Sequence, residues 1–277
     1  MNDVKAVILA RGLATRMRHA DADGALLPEQ ARVATAGLKS MIPVGDTAAG
    51  GARPFLDYVL SSLADAGYED IGLVIGPEHD VIRDRYARIE KPRRVRLTWL
   101  IQAEPLGTAN ALLAAETWIA DSPFIVANAD NLYPVEVLRQ LRHMKGPGLP
   151  AFERAALVRA SNIPADRVAS FALLDVDDGQ NLRAIVEKPG FDILAKAGPH
   201  ALVSMNVWRF DSKIFDACRD VPRSPRGEFE LPMAVAVALT RGVQFLAFHA
   251  EGEVLDLSRQ TDITDVSRRL VGRAVSV

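Results

Sequence analysis

The sequence predicts an α/β fold, a mainly parallel sheet flanked by helices with a small hairpin-rich lobe. Three observations carry that prediction. Short β-branched runs without polar alternation, at 4–10, 71–75 and 123–127, suit strands covered on both faces. Helical patterns separate them, and a β-α-β-α-β rhythm implies crossovers and parallel pairing. After Lys145 the rhythm gives way to a hairpin signature, with the turn Asp177-Asp178-Gly179-Gln180-Asn181 between two apolar runs.

The first run ends in Ala10-Arg11-Gly12, followed by Arg16 and Arg18. A buried strand that opens into such a loop turns backbone N–H groups outward, and arginine binds phosphate oxygens in pairs. No Gly-Lys-Ser/Thr ending and no G-x-G-x-x-G is present, so neither familiar phosphate loop applies. Residues 19–38 show little periodicity and read as a long surface loop or lid. It closes on Leu38-Lys39-Ser40-Met41, where one cation among apolar neighbours suits a ligand anion.

Residues 53–67 form an amphipathic helix, with Pro54 at its start, Gly67 at its end and apolar positions 55, 56, 59, 60 and 63. A strand at 71–75, a charged helix at 78–88 and a strand at 95–101 follow. The last opens into Gln102, Gly107 and Thr108, the latter a helix cap for 109–119. Ligands in open α/β sheets bind beyond strand C-termini. There Gln102 can pair with the edge of a uracil or thymine ring, and Gly107 lets a base approach the backbone. The next strand releases Asp130, a candidate Mg²⁺ ligand beside nucleotide phosphates.

A helix is expected at 135–144 and strands at 155–158, 168–176 and 182–186, the last ending in Glu187-Lys188-Pro189. A strand at 202–210, a helix at 211–219, the loop 224–228, a helix at 231–240 and a strand at 243–248 come next. Asp256 then supplies a second carboxylate ahead of a final helix from about 262.

A net charge of -2 argues against a nucleic-acid partner, which needs a basic surplus. No apolar run is long enough to span a membrane. The single Cys218 sits at a core-like helical spacing. Cytoplasm is the expected location.

Assembled, these segments resemble the sugar-1-phosphate nucleotidyltransferases, the pyrophosphorylases that make nucleotide sugars. Their landmarks occur in order: Gly12 to Arg16, Leu38-Lys39 before Ile42-Pro43-Val44, Arg53-Pro54, Gln102 through Gly107-Thr108-Ala109, Asp130, Glu187-Lys188-Pro189, Ser204 to Trp208, Arg226-Gly227-Glu228 and Asp256. The resemblance implies a Rossmann-like nucleotide-diphospho-sugar transferase fold. It implies one domain over 1–277, with a nucleotide-binding core at 1–145 and a sugar-binding lobe at 146–277 that returns to the core. It also implies the roles: Arg16, Lys39 and Asp130 in catalysis, Asp130 and Asp256 on Mg²⁺, and Ala10, Arg11, Gly12, Gln102, Gly107 and Thr108 on the nucleotide. Glu187, Lys188, Asn206 and Glu228 fall to the sugar phosphate. The implied substrates are an NTP and a sugar 1-phosphate, UTP or dTTP with glucose 1-phosphate favoured, and relatives often form homo-oligomers.

The chain departs from the family pattern at Ala14 and Asn206, where glycine is usual, at Arg11, where a small residue is usual, and at Val254, where Trp is frequent. A catalytically silent nucleotide-sugar sensor and a glycosyltransferase are the alternatives, and the complete set of cations and carboxylates favours the active enzyme over both.

Overall fold

The protein is described here from a computed structural model covering residues 4–12, 14, 17, 26–46 and 51–277. The strands are β1 (Lys5–Leu9), β2 (Pro43–Val44), β3 (Arg53–Pro54), β4 (Asp70–Ile75), β5 (Arg96–Ile101), β6 (Phe124–Asn128), β7 (Asn131–Leu132), β8 (Gly148–Glu153), β9 (Leu173–Val176), β10 (Leu182–Val186), β11 (Leu202–Val203), β12 (Trp208–Phe210), β13 (Leu246–Ala250) and β14 (Leu255–Asp256). The helices are α1 (Pro28–Thr35), α2 (Phe55–Asp65), α3 (Asp80–Asp84), α4 (Thr108–Leu113), α5 (Glu116–Ile119), α6 (Val135–His143), α7 (Arg154–Ala160), α8 (Ala165–Val168), α9 (Phe191–Ala197), α10 (Lys213–Asp220), α11 (Leu231–Thr240) and α12 (Gln260–Leu270). A 3-10 turn at Lys39–Met41 precedes β2, and a π-helical turn at Arg85–Ile89 extends α3.

A ten-stranded sheet runs β10-β9-β11-β8-β12-β6-β1-β4-β5, with β13 beside β8. The block β5-β4-β1-β6 is parallel throughout, as the β-α-β rhythm requires. Within β1 the side chains alternate between two cores, Ala6 and Ile8 on one face, Val7 and Leu9 on the other. Burial on both faces is why the run reads as uninterrupted hydrophobicity. β12 pairs antiparallel with β6 and starts the second region, in which β9 and β10 form the expected hairpin. Small pairs β14-β7 and β2-β3 sit off the main sheet.

Several sequence expectations change, among them the cap at Thr108 and the single helix at 109–119: Gly107 stands at the N-cap and the helix breaks into α4 and α5. Residues 28–35 are a helix, not loop: Pro28 opens it, Gly37 at φ 76° closes it, and Gln30 anchors it by donating to the Pro43 carbonyl at 2.8 Å. The segment 155–158 is helical within α7, since Ala, Leu and Arg favour helix and only Leu157 is buried. The strand expected from 168 begins at Leu173, because Val168 closes α8. The strand expected over 202–210 breaks into β11 and β12 around Asn206, whose φ of 57° no strand accommodates. Among the described residues no helix is long and apolar enough to cross a membrane.

Candidate active site

The C-terminal ends of β1, β4, β5 and β6 open on a cleft of about 190 Å³. Ala10, Arg11, Gly12, Lys39, Gly107, Thr108, Asp130 and Glu228 line it, so eight expected site residues converge there. His79, Ile82 and Asn128 line it as well and carried no sequence signal. Arg16, expected in the phosphate loop, lies outside the described residues.

Lys39 reaches the cleft because α1 ends at Gly37 and the 3-10 turn follows at once. Its Nζ lies 3.2 Å from Asp130 Oδ2, with both side chains about a quarter exposed or less. Asp130 follows β6, and its carbonyl accepts from Leu257 N at 2.9 Å. That bond ties it to β14, where Asp256 pairs with Asn131. Asp256 is not among the cleft-lining residues and sits just behind them, 4% exposed.

Asp256 is held on every side. Asn162 accepts from its N–H and donates to its carbonyl, each at 2.8 Å. Its carboxylate accepts from Ser258 Oγ and lies 3.4 Å from Arg167 Nη1. Burial, and then the charge on Asp130, push its carboxyl up to about 6. Asp130 presents hard oxygen donors at the cleft, of the kind Mg²⁺ takes together with phosphate oxygens and water, while the Asp256 carboxylate behind it is engaged by Ser258 and Arg167.

Gly107 takes φ of 105°, and a Cβ there would lie 2.6 Å from the Phe229 carbonyl oxygen. Ala109 N donates to that same carbonyl at 2.8 Å, and Leu231 N donates to Thr108 Oγ1 at 2.8 Å. Gly107 thus serves the docking of the 228–231 segment as well as the cleft. Gly12, by contrast, would meet nothing within 4 Å among the described residues. Gly107→Ala is therefore expected to cost about 2 kcal/mol or more, and Gly12→Ala under about 0.5 kcal/mol, in denaturant melts. Ala14 takes φ of 52°, a conformation that strains a non-glycine residue by about 1–2 kcal/mol.

Gln102 is 3% exposed and is not among the cleft-lining residues. Its amide nitrogen donates to the Gly107 carbonyl at 3.2 Å and to Asn110 Oδ1 at 2.8 Å. Its Oε1 is buried without a partner.

Glu187 and Lys188 form a second cluster with Glu230, a residue sequence reasoning passed over. Lys188 Nζ is 2.9 and 3.2 Å from the Glu230 oxygens and 3.6 Å from Glu187. Burial opposes the Glu230 charge, but its bonds to Lys188 hold its carboxyl below the ordinary value. Burial and then the Glu230 charge push Glu187 the other way, from 4.5 up to about 7. The native state thus binds a proton that the unfolded chain releases, and the stability this adds is lost as pH rises through about 7. The melting temperature is expected to fall between about pH 5 and 8, and Glu187→Gln to flatten that slope. Asn206 is hydrogen-bonded to neither cluster among the described residues; its N–H donates to Ser204 Oγ at 3.2 Å.

These features place the chain in a known class. A family model described as nucleotidyl transferase matches residues 35–271, and the chain belongs to that family. Among its relatives, the UTP–glucose-1-phosphate uridylyltransferase AglF of Haloferax volcanii is 26% identical over 270 residues, 96% of each chain. The glucose-1-phosphate thymidylyltransferase of Streptomyces antibioticus is 25% identical over 276 residues, 97% of this chain. The chain spans 66% of that enzyme's length, and 65% of the low-salt glycan biosynthesis nucleotidyltransferase of Haloferax volcanii, to which it is 24% identical. In structure it is similar to a UDP-glucose pyrophosphorylase complexed with UDP-glucose, with a TM-score of 0.72 over 96% of this chain and 98% of that one, at 18% identity.

Proposed function

We propose that the chain transfers a nucleotidyl group from an NTP to a sugar 1-phosphate, giving an NDP-sugar and pyrophosphate, with UTP or dTTP and glucose 1-phosphate as the favoured pair. The observation that carries this reading is the Lys39–Asp130 pair at the cleft, backed by a clamped Asp256. The relatives, a UTP–glucose-1-phosphate uridylyltransferase and a glucose-1-phosphate thymidylyltransferase, support the substrate pair.

An oxygen of the sugar phosphate attacks the α-phosphorus as the bond to the β-phosphate bridging oxygen breaks, and pyrophosphate leaves. The nucleophile is mostly dianionic at neutral pH, because a phosphate monoester has its second pKa near ~6. No general base is needed, and the demand is for cations and alignment between two anions. Lys39 and Arg16 hold the triphosphate in this scheme. Lys188 binds the sugar phosphate, leaving Glu230 to do so, while Glu187, Asn206 and Glu228 face the sugar. Asp130 and Asp256 hold Mg²⁺, which when bound neutralises charge on the phosphates. Residues 1–145 act as the nucleotide core and 146–277 as the sugar lobe. A cytoplasmic homo-oligomer fits the reading.

The test is pyrophosphate release with Mg²⁺, over common NTPs against several sugar 1-phosphates, with Asp256→Ala as control. Release from one pairing that the variant loses supports the reading. Silence across the grid sinks it.

A further inference from the structure

The cleft has a polar wall on the side away from Asp130. The strand order β5-β4-β1-β6 puts Asp130 on one side of β1 and Glu78 and Gln102, which follow β4 and β5, on the other. Arg11 leaves β1 toward that second side. Its Nε and Nη2 donate to the two Glu78 oxygens at 3.1 and 3.3 Å, and Nη1 donates to the Gln102 carbonyl. The side chain is only 8% exposed, yet it lines the cleft. A guanidinium carries five N–H groups and no acceptor, so N–H groups remain after these three contacts.

His79, the neighbouring lining residue, adds to the same wall. Its Nδ1 accepts from Gly76 N at 3.2 Å, which puts the ring proton of the neutral imidazole on Nε2. The His79 Nε2 faces Glu78 Oε1 at 3.7 Å, so the unspent N–H groups of Arg11 are the donors this wall offers a ligand.

We propose that Arg11 is a base-selecting residue that favours bases with a lactam edge, C=O beside N–H, over bases with an amino edge. Uracil, thymine and guanine present an oxygen that Arg11 can donate to. Cytosine and adenine present an NH₂ at that place, which sets donor against donor. The inference rests on the cleft being the NTP site of the proposed reaction.

Equilibrium binding of UTP and CTP with Mg²⁺, by calorimetry, separates the two bases at equal ring size. The wild type is expected to bind UTP about tenfold or more tightly than CTP, the scale of one charge-assisted hydrogen bond. Arg11→Met, which keeps bulk and loses the donors, is expected to bring that ratio below about threefold. Arg11→Gln offers an acceptor as well as donors and is expected to tighten CTP binding in absolute terms, a gain that structural damage cannot mimic. An unchanged ratio in Arg11→Met together with no CTP gain in Arg11→Gln overturns the proposal, as does a wild type without UTP preference. Binding with no pyrophosphate release would defeat the catalytic reading and leave base selection decided by these ratios. Failure of every NTP to bind defeats both.

Discussion

Asp130→Ala is expected to lower pyrophosphate release by on the order of 10³-fold, the loss typical when a group that organises transition-state charge is removed. Asp130 stands at the junction of three constraints: the end of β6, the Lys39 ammonium at 3.2 Å, and the Leu257 N–H on its carbonyl. The variant frees Lys39 and takes away the carboxylate that presents hard oxygen donors at the cleft. Stability should move little, by under about 1 kcal/mol, because the Asp130–Lys39 pair is partly solvated and Asp256 is relieved of a neighbouring like charge. Sugar-phosphate binding should also hold, since Glu187, Lys188 and Glu230 lie on other elements. Steady-state rates, melting temperature and glucose 1-phosphate affinity measured on one preparation check all three. Retention of more than about a tenth of the activity would remove Asp130 from the reaction.

Much of this was legible in the chain. The strands of the parallel block read clearly because burial on both faces leaves unbroken apolar runs, and each run releases its polar residue where a cleft must lie. Helix α2 was bounded by Pro54 and Gly67 because those punctuation marks are local. Helix α1 was missed although Pro28 and Gly37 mark it too, since its anchor is a bond from Gln30 to Pro43 in another element. Lys39, Asp130 and Gly107 stood out as polar or glycine positions among apolar neighbours. Glu230 did not, because its partner Lys188 is 42 positions away. Arg167 and His79 look like surface residues in their own segments, and only tertiary packing buries them. Gln102 stands out by its place after β5, but its amide is committed to Gly107 and Asn110 and it does not line the cleft, a placement no spacing rule reveals.

Arg167→Met is expected to be strongly destabilising. The guanidinium donates to Asp262 Oδ2 and Oδ1 at 2.9 and 2.7 Å and lies 3.4 Å from Asp256, with all three side chains 5–6% exposed. Desolvation works against the Arg167 charge, and the two carboxylates more than offset it, raising its pKa. Removing the cation strands two buried carboxylates, a loss of about 3–5 kcal/mol. At about 2–4 °C per kcal/mol for a chain of this size, the melting temperature should drop by about 6–20 °C. Arg167→Met with Asp262→Asn should recover part of that drop, because the amide oxygen can still accept from Ser258 and Arg259 N–H at the start of α12 while one of the two stranded charges is gone. A fall of less than about 2 °C in the single variant would show that water or rearrangement screens the site. The double variant also separates stability from chemistry. It regains part of the stability without the contact to Asp256, and Asp256 shares the β14-β7 pairing with the residue after Asp130. If that contact fixes the spacing of the two carboxylates, the double variant melts closer to wild type yet stays impaired in pyrophosphate release.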